Sequence, residues 1–247
     1  MIKYNNTPSI VVEDNVLSPA LCDHIVNLAT TQGLGNNLII RDGKYVQDEM
    51  RTSKGSYFSY GENDVLDGVI EALSGMCGLP PTRLEPVTIQ RYQPGQEYKP
   101  HYDGFLPNDV GEMPKSAKVK ESGNRCVTMI SYLNDVQDGG GTVFPVLGLA
   151  IKAVQGRTIM FGNLDEHKMP HPASLHMGLP PEDGDKWILT FWFREKDFMV
   201  TKKELAKALK SKQSVRTEKQ PVDAKLHAKN VHNKFKKICA DRGEMPL

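Results

Sequence analysis

The sequence lacks the features that would assign it to a membrane or to a secretory route. It contains no run of about 18 apolar residues, the minimum for a membrane-spanning helix. Its first residues, MIKYNNTPSIVVEDN, have no apolar stretch between a basic start and a small-residue cleavage site. We therefore expect a cytoplasmic protein without a membrane partner.

Cysteine is scarce, with 4 in 247 residues: Cys22, Cys77, Cys126 and Cys239. No two of them form a Cys-x-x-Cys pair, and their spacing is wide and irregular. This pattern argues against a structural zinc site and against a disulfide framework. We expect reduced thiols that are mostly buried.

The chain as a whole has no large excess of either charge, since its net charge is +1. The charged residues are, however, unevenly distributed along the sequence. Residues 202–247 hold 13 Lys and Arg against 5 Asp and Glu, and the preceding part is net acidic. A charge run of this kind is usually a solvated helical face. We predict a basic, helical tail over 201–247, and nucleic acid is an alternative partner for this tail alone.

Two helices are predicted in residues 1–83, which we expect to support the domain that follows. The first has Ser18 as N-cap and Pro19 at its first position, runs to about Thr31 and ends at Gly33. The second covers about 62–77, and Gly78 follows at its carboxyl end. Residues 10–17 are predicted as a short strand.

The pattern changes over residues 84–200, where short apolar runs rich in β-branched and aromatic residues alternate with Gly, Pro and Asn. Six to eight strands are predicted, which indicates a β-sandwich or barrel. The fold class is therefore mainly β with flanking helices. Residues 104–124 form a long polar interruption, which is typical of a loop that is either a functional lid or a disordered insertion. The runs are PVTIQRY, CVTMISYL, TVFPV, LAIKAV, RTIMF and KWILTFWF.

A pair of residues two apart, His101 and Asp103, carries the first chemical signal. On a strand this spacing places both side chains on the same face. An imidazole and a carboxylate are two ligands of a facial metal triad, which a second imidazole completes while leaving positions open. From the residues alone, that imidazole is supplied by His167, His171 or His176.

A lysine within an apolar strand carries the second signal. Lys186 stands in the segment DGDKWILTFWFRE, which is otherwise largely apolar after the charged start. Burying an ammonium group is costly unless an anion meets it. Lys186 is therefore a candidate anion anchor, although a lysine at a strand end also reaches water readily.

Three motifs occur in a characteristic order. They are R-Y-x-x-G-x-x-Y-x-x-H-x-D at 91–103, G-G-G-T-V-F-P at 139–145, and S-L-H-M-G-x-P-x-x-x-G-x-K-W-x-x-x-x-W-x-R at 174–194. With the helix entry VLSPALCDHIV and the motif Arg51-Thr52-Ser53, this set closely resembles the prolyl 4-hydroxylase family of 2-oxoglutarate/Fe(II) dioxygenases. The resemblance covers residues 10–198. It implies a double-stranded β-helix, or jelly roll, over 84–200 with the N-terminal helices packed outside.

The resemblance also implies roles for individual residues. His101, Asp103 and His176 match the iron ligands, and Lys186 matches the residue that pairs with the distal carboxylate of 2-oxoglutarate. His176 is preferred to His171 because its ten-residue gap to Lys186 fits the family pattern. The roles of His167, His171 and Arg51 stay open. Four further residues match positions around the cosubstrate: Tyr92, Tyr132, Thr142 and Trp192.

The activity implied by the resemblance is hydroxylation of peptidyl proline, with 2-oxoglutarate decarboxylated to succinate and CO₂. The cofactors would be Fe(II), 2-oxoglutarate, O₂ and L-ascorbate, and the partner a proline-containing peptide or protein. One alternative keeps this chemistry but acts on another peptidyl residue, a free amino acid or a nucleobase. A second alternative is a non-catalytic jelly-roll binding module, against which an intact triad argues.

Overall fold

The structure is a computed structural model that describes residues 1–37, 39–41, 44–46, 49–106 and 117–198. The predicted tail, 201–247, lies outside these ranges, and so does the middle of the predicted loop 104–124. Within the described ranges, no helix combines the length and the apolar character needed to span a membrane.

Strands dominate the described part of the chain, as the fold class predicted. The α-helices are α1 (Pro19–Gln32), α2 (Asp64–Cys77) and α3 (Ala117–Ser122), and 3-10 turns occupy Pro81–Arg83 and Pro172–Ser174. The strands are β1 (Ile2–Asn6), β2 (Ser9–Glu13), β3 (Gly35–Asn36), β4 (Ile39–Arg41), β5 (Lys44–Val46), β6 (Lys54–Phe58), β7 (Val87–Tyr92), β8 (Tyr98–His101), β9 (Arg125–Tyr132), β10 (Thr142–Phe144), β11 (Leu149–Ile151), β12 (Thr158–Gly162), β13 (His176–Gly178) and β14 (Lys186–Arg194).

These strands build two main antiparallel sheets. The large sheet has the order β1-β2-β12-β9-β14-β7-β6-β3, and the small sheet has the order β11-β10-β13-β8. Strands β4 and β5 pair only with each other. Eight strands, β7 to β14, follow residue 84, which agrees with the predicted six to eight.

Both long helices begin and end where local chemistry places their caps. The Ser18 hydroxyl accepts a hydrogen bond from the Leu21 backbone N–H, and Pro19 opens α1. Helix α2 begins two residues later than predicted, because the Asn63 side chain accepts from two backbone N–H groups of the first turn. It ends at Gly78, whose φ of 70° is the left-handed conformation that glycine adopts readily.

Alternation along β14 explains how the sheets and helices are layered. Leu189, Phe191 and Phe193 are buried against a cluster that contains the apolar faces of α1 and α2. The intervening residues, such as Ile188, face the cluster shared with the small sheet. Burying each large apolar side chain contributes about 1.5–3 kcal/mol, so both faces of the large sheet are stabilised. One strand thus separates the helical layer from the interior between the sheets.

Strand β1 and helix α3 are among the elements that were not predicted from the sequence. Strand β1 lies at the edge of the large sheet and pairs with β2, although its residues, IKYNN, show no strong strand pattern. Helix α3 lies within the stretch predicted as loop 104–124. Strands β2 and β6, from residues 1–83, share the large sheet with strands of the following region. The division into 1–83 and 84–200 stays a prediction.

Candidate active site

A cleft of about 420 Å³ opens between the inner faces of the two sheets. Strands β7, β9 and β14 of the large sheet form one wall, and β8, β10 and β13 of the small sheet form the other. The cleft is lined by Arg51, Gln90, Tyr92, Tyr98, His101, Asp103, Ile130, Tyr132, Thr142, His176, Gly178, Lys186, Ile188, Thr190 and Trp192. Every residue predicted to belong to the site is therefore in this one cleft.

His101, Asp103 and His176 meet at the small-sheet side of the cleft. His101 ends β8 and His176 begins β13, and the two are direct partners across these strands. Asp103 lies two residues beyond the end of β8. Its carboxylate oxygens are each 3.6 Å from one imidazole, Oδ1 from Nε2 of His101 and Oδ2 from Nε2 of His176. All the potential ligand atoms lie within 4.8 Å of one another.

The second nitrogen of each imidazole is engaged by a backbone carbonyl. Nδ1 of His101 is 2.7 Å from the Lys99 oxygen, and Nδ1 of His176 is 2.9 Å from the Ser174 oxygen. A carbonyl only accepts hydrogen bonds, so each Nδ1 carries the proton and each Nε2 keeps its lone pair. Such a bond to the distal nitrogen is the usual support of a metal-binding histidine. Two imidazoles and one carboxylate, without a thiolate, fit Fe(II) with positions left open.

Burial and charge favour the metal-binding protonation states of His176 and Asp103. Burial lowers the pKa of His176 to about 4, and the neighbouring His101 acts in the same direction, so the ring is neutral at pH 7. Burial alone would raise the pKa of Asp103, but His176, His101 and Arg125 outweigh it and hold that pKa below its usual value. The site therefore offers two lone pairs and a negative charge.

The competing histidines are placed elsewhere. His171 caps the short helical turn 172–174, where its Nδ1 accepts from the Ala173 backbone N–H. His167 is largely exposed beside Glu166. Neither is part of the cluster of potential metal ligands. The structure thus brings His176, and not these two, to His101 and Asp103.

Lys186 is buried, not directed to solvent. It begins β14 and its exposed fraction is 2%. Its ammonium donates to the Leu179 carbonyl oxygen at 2.7 Å and lies 4.4 Å from the centre of the Tyr92 ring. Burial lowers the pKa of Lys186 to about 7. An anion in the cleft would favour the charged form, because opposite charges stabilise each other strongly where water is excluded.

The four predicted cosubstrate residues line the same cleft as this ammonium and the ligand cluster. The Tyr132 hydroxyl lies 2.7 Å from the Thr142 hydroxyl, which joins β9 of the large sheet to β10 of the small one. The Tyr92 hydroxyl donates to the side-chain oxygen of Gln90 at 3.0 Å. Trp192 is 6% exposed and lines the same cleft.

Several lining residues were missed from the sequence, although strand alternation offers a signal for them. Thr190 and Ile188 occupy the alternate positions between Lys186 and Trp192, so they share the inward face of β14. Gln90 holds the corresponding position two residues before Tyr92 in β7. Gln90 donates to the Thr190 hydroxyl at 2.9 Å, which connects the adjacent strands β7 and β14 within one wall of the cleft. A polar residue two positions from a predicted site residue on the same strand is therefore a candidate lining residue of the cleft.

Arg51, whose role was left open, lies in the wall of the cleft. It is 5% exposed, and its guanidinium carbon is 5.0 Å from the centre of the Tyr98 ring and 5.6 Å from that of Trp192. Contacts of this kind between a cation and an aromatic face are favourable. Arg51 thus adds positive charge to the wall of the cleft.

A buried ion cluster supports the cleft from the side of Trp192. Glu85 accepts two hydrogen bonds of 2.7 Å from Arg125 and lies 2.8 Å from the Arg194 Nε. Burial would raise the pKa of Glu85, but the two guanidinium groups lower it. Arg125 in turn lies 4.3 Å over the Trp192 ring. The sequence does not reveal this cluster, because its members are distant in the chain.

Comparison with known proteins agrees with this geometry. Residues 87–194 match the model of the 2OG-Fe(II) oxygenase superfamily. "Prolyl 4-hydroxylase 5" from Arabidopsis thaliana is 30% identical over 213 residues, covering 78% of this chain and 70% of the relative. "Prolyl 4-hydroxylase 2" from the same plant is 29% identical over 216 residues, again covering 78% and 70%.

Solved structures show the same fold. The viral collagen prolyl hydroxylase from Paramecium Bursaria Chlorella virus-1, in its 2OG complex, has a TM-score of 0.60 and 30% identity. The match covers 75% of this chain and 95% of that one. A prolyl hydroxylase from Trichoplax adhaerens, 20% identical, has a TM-score of 0.54 over 77% of this chain and 85% of that one. These neighbours support the predicted jelly-roll architecture.

Proposed function

We propose, from the premise that this chain belongs to the prolyl 4-hydroxylase family of 2-oxoglutarate- and Fe(II)-dependent oxygenases, that it hydroxylates proline within a peptide or protein. The relatives of about 30% identity are named for prolyl 4-hydroxylation and for hydroxylation of collagen proline. The observation that carries the proposal is the meeting of His101, Asp103 and His176 in the cleft that also buries Lys186.

His101, Asp103 and His176 would hold Fe(II). Their two imidazoles and one carboxylate would supply three ligands, a set that leaves coordination positions open for a keto acid and O₂. The bound metal supplies O₂ activation coupled to decarboxylation of 2-oxoglutarate, yielding succinate, CO₂ and a hydroxylated substrate carbon. The protein's part is to orient the reactants and to exclude water.

Lys186 would bind the distal carboxylate of 2-oxoglutarate. Its ammonium reaches only a carbonyl and an aromatic face in the described residues, so a carboxylate adds a strong charge-assisted hydrogen bond. Tyr92, Tyr132 and Thr142 supply hydroxyl groups on the walls around it. The buried ammonium thus fixes one end of the cosubstrate and leaves the keto acid directed at the ligand cluster.

Trp192, which the family resemblance assigns to the surroundings of the cosubstrate, would also contact the peptide. Its ring centre lies 5.6 Å from the guanidinium carbon of Arg51 and 4.3 Å from that of Arg125, and its Nε1 is buried without a hydrogen-bond partner among the described residues. A buried donor of this kind is satisfied when a carbonyl oxygen approaches it. A peptide backbone presents such oxygens at each residue, which favours a peptide over a small apolar substrate.

The proposal also includes L-ascorbate as the reductant and the cytoplasm as the location of the protein. A site that activates O₂ without substrate in place oxidises its own metal, so an accessory reductant is needed to sustain turnover. Ascorbate suits this role because it donates single electrons. The cytoplasmic location follows only from the sequence expectation and stays a prediction.

The test is mass spectrometry of proline-rich peptides incubated with the full chain, Fe(II), 2-oxoglutarate and ascorbate. We expect one added oxygen atom on proline, and a hydrolysate that matches 4-hydroxyproline and not 3-hydroxyproline. Succinate should form in equal amount. Asp103→Ala and a peptide with alanine in place of proline serve as controls.

A different result separates the alternatives. Succinate formed without any change in the peptide would contradict the substrate and direct the search to free amino acids or nucleobases. Failure of the metal-loaded protein to bind 2-oxoglutarate at all would favour a binding module.

A further inference from the structure

Asn163 lies at a junction between the supports of two metal-ligand candidates. It is fully buried and follows directly after β12. Its backbone N–H donates to the Cys126 carbonyl in β9 at 2.9 Å, and its own carbonyl accepts from the His171 N–H at 2.8 Å. The same carbonyl lies 3.3 Å from the Ser174 hydroxyl, whose residue supports His176 through its backbone oxygen. The backbone of Asn163 thus connects β9 to the segment that leads into His176.

The side chain of Asn163 reaches Asp103 through Thr128. Nδ2 of Asn163 donates to Oγ1 of Thr128 at 2.8 Å, and that hydroxyl donates to Oδ2 of Asp103 at 2.7 Å. Thr128 and Asn163 are both 0% exposed, and Asp103 is 5% exposed. Water is therefore excluded from this chain of hydrogen bonds.

The direction of these hydrogen bonds is determined by chemistry. An ionised carboxylate only accepts, so the single hydroxyl proton of Thr128 must point to Asp103. The Thr128 oxygen is then an acceptor, and the amide nitrogen of Asn163 is its donor. Turning the amide around would place two acceptors face to face. The Asn163 side-chain oxygen has no hydrogen-bond partner among the described residues. The side-chain amide of Asn163 is therefore held by its hydrogen bond from Nδ2 to Thr128.

The carboxylate of Asp103 needs this support because it lies beyond the regular strand. Strand β8 ends at His101, two residues earlier. Oδ2, the atom bonded to Thr128, is also the oxygen 3.6 Å from His176, and Oδ1 faces His101. Rotation of the carboxylate would change both distances. A hydrogen bond to Oδ2 therefore also determines the position of Oδ1 relative to the metal site.

We infer that Thr128 and Asn163 are positioning residues of the metal site, which hold the Asp103 carboxylate in the orientation that binds the ion. The inference rests on the proposed role of Asp103 as a ligand. Partners of this kind outside the ligands typically change metal affinity by about 10–100-fold. Asn163 acts only through Thr128, and Thr128 acts directly on Asp103.

The test is titration of the metal-free full chain with Mn(II), followed by the absorption spectrum of the Co(II) form. Thr128→Val removes the hydroxyl with little change of shape and should raise the Mn(II) dissociation constant by about 10–100-fold. Its Co(II) bands should shift, because the carboxylate rotates. Thr128→Ser keeps the hydroxyl and should restore both the affinity and the spectrum.

Asn163→Ala should weaken Mn(II) binding in the same direction. The double variant with Thr128→Val should bind no more weakly than Thr128→Val alone, because both changes break one chain. Three results would each overturn the inference. The losses of Mn(II) affinity in the two single variants could add in the double variant, or a folded Thr128→Val could keep its Mn(II) affinity. The third is a Thr128→Ser that binds Mn(II) as weakly as Thr128→Val. If Thr128→Val does not fold, Asn163→Ala decides alone, and unchanged affinity in it overturns the inference.

Asp103→Ala separates this inference from the proposed function. If Asp103→Ala loses Mn(II) while Thr128→Val keeps it, the inference fails and the metal site stands. If Asp103→Ala binds Mn(II) as well as the unchanged chain, both fail.

Discussion

Lys186 and Tyr92 are direct partners across the adjacent strands β14 and β7, and the ammonium of one lies 4.4 Å from the ring centre of the other. The pairing places a cation against an aromatic face at the point where both strands border the cleft. A cation over an aromatic ring is partly stabilised by it. Even so, burial lowers the pKa of Lys186 to about 7, so the contact compensates only in part for lost hydration.

Binding of 2-oxoglutarate should take up a proton above pH 7. The free protein holds Lys186 partly neutral there, since the pKa is about 7, whereas the carboxylate selects the ammonium form. Affinity should therefore fall by up to about tenfold per pH unit above this pKa. Calorimetry of the Mn(II)-loaded protein in two buffers of different ionisation enthalpy measures the uptake.

Lys186→Arg is the matched control, because a guanidinium stays charged throughout this range. It should lose the proton uptake even if its affinity is lower. An unchanged pH slope in this variant would assign the proton to another group.

The same lysine should make the metal-free protein more stable as the pH rises from 7 toward 10.5. In this window the unfolded chain keeps the lysine protonated, with its ordinary pKa of 10.5, while the folded chain has released that proton. The unfolded chain, which binds more protons in this window, becomes less favourable as the pH rises, so the free energy of unfolding increases. Urea unfolding at several pH values measures the slope, which should be flatter in Lys186→Met. A stability that falls equally in both proteins over this range would contradict the prediction.

Removing the imidazole of His176 should strongly weaken metal binding, and removing that of His171 should not. His176→Ala should lower Mn(II) affinity by more than the roughly 10–100-fold expected for a supporting residue. His171→Ala should keep the affinity and lose only about 1 kcal/mol of stability, since His171 caps a short turn. Equal losses of Mn(II) binding in the two variants would refute the choice of His176.

Glu85 should be essential for folding stability. Glu85→Gln leaves two buried guanidinium groups, Arg125 and Arg194, without their carboxylate, which should cost about 3–5 kcal/mol. Glu121→Gln removes an exposed charge and should change stability little. Chemical unfolding of both variants checks this, and a Glu85→Gln as stable as Glu121→Gln would show that the cluster contributes nothing net.

Much of the fold class and the identity of the candidate site residues were accessible from the sequence, for a physical reason. Alternation in segments such as KWILTFWF reports a strand with two buried faces, and caps such as Ser18 and Gly78 report helix ends. The motif spacing, added to the family resemblance, selected His176 among three histidines. The structure brings it to His101 and Asp103, although Asp103 lies past the strand end and not within it.

The contacts that support the site were not accessible in this way. Glu85 meets Arg125 and Arg194 only because the segment before β7 packs beside β9 and β14, and no local pattern encodes that meeting. Thr128 and Asn163 are ordinary buried polar residues until the fold aligns them with Asp103. Strand β1 was missed because its stability comes from pairing with β2, not from its own composition.

Because His101 and His176 face each other across β8 and β13, the positions between the ligand candidates should tolerate changes of residue type far better than changes of length. Side chains alternate between the faces of a strand, so one residue inserted between Ser174 and His176 would turn that imidazole away from the cleft. A residue inserted between His176 and Lys186 would change the ten-residue spacing between these two side chains. Homologous chains with this chemistry should therefore place insertions and deletions outside 174–186 and outside the short stretch from Tyr98 to Asp103.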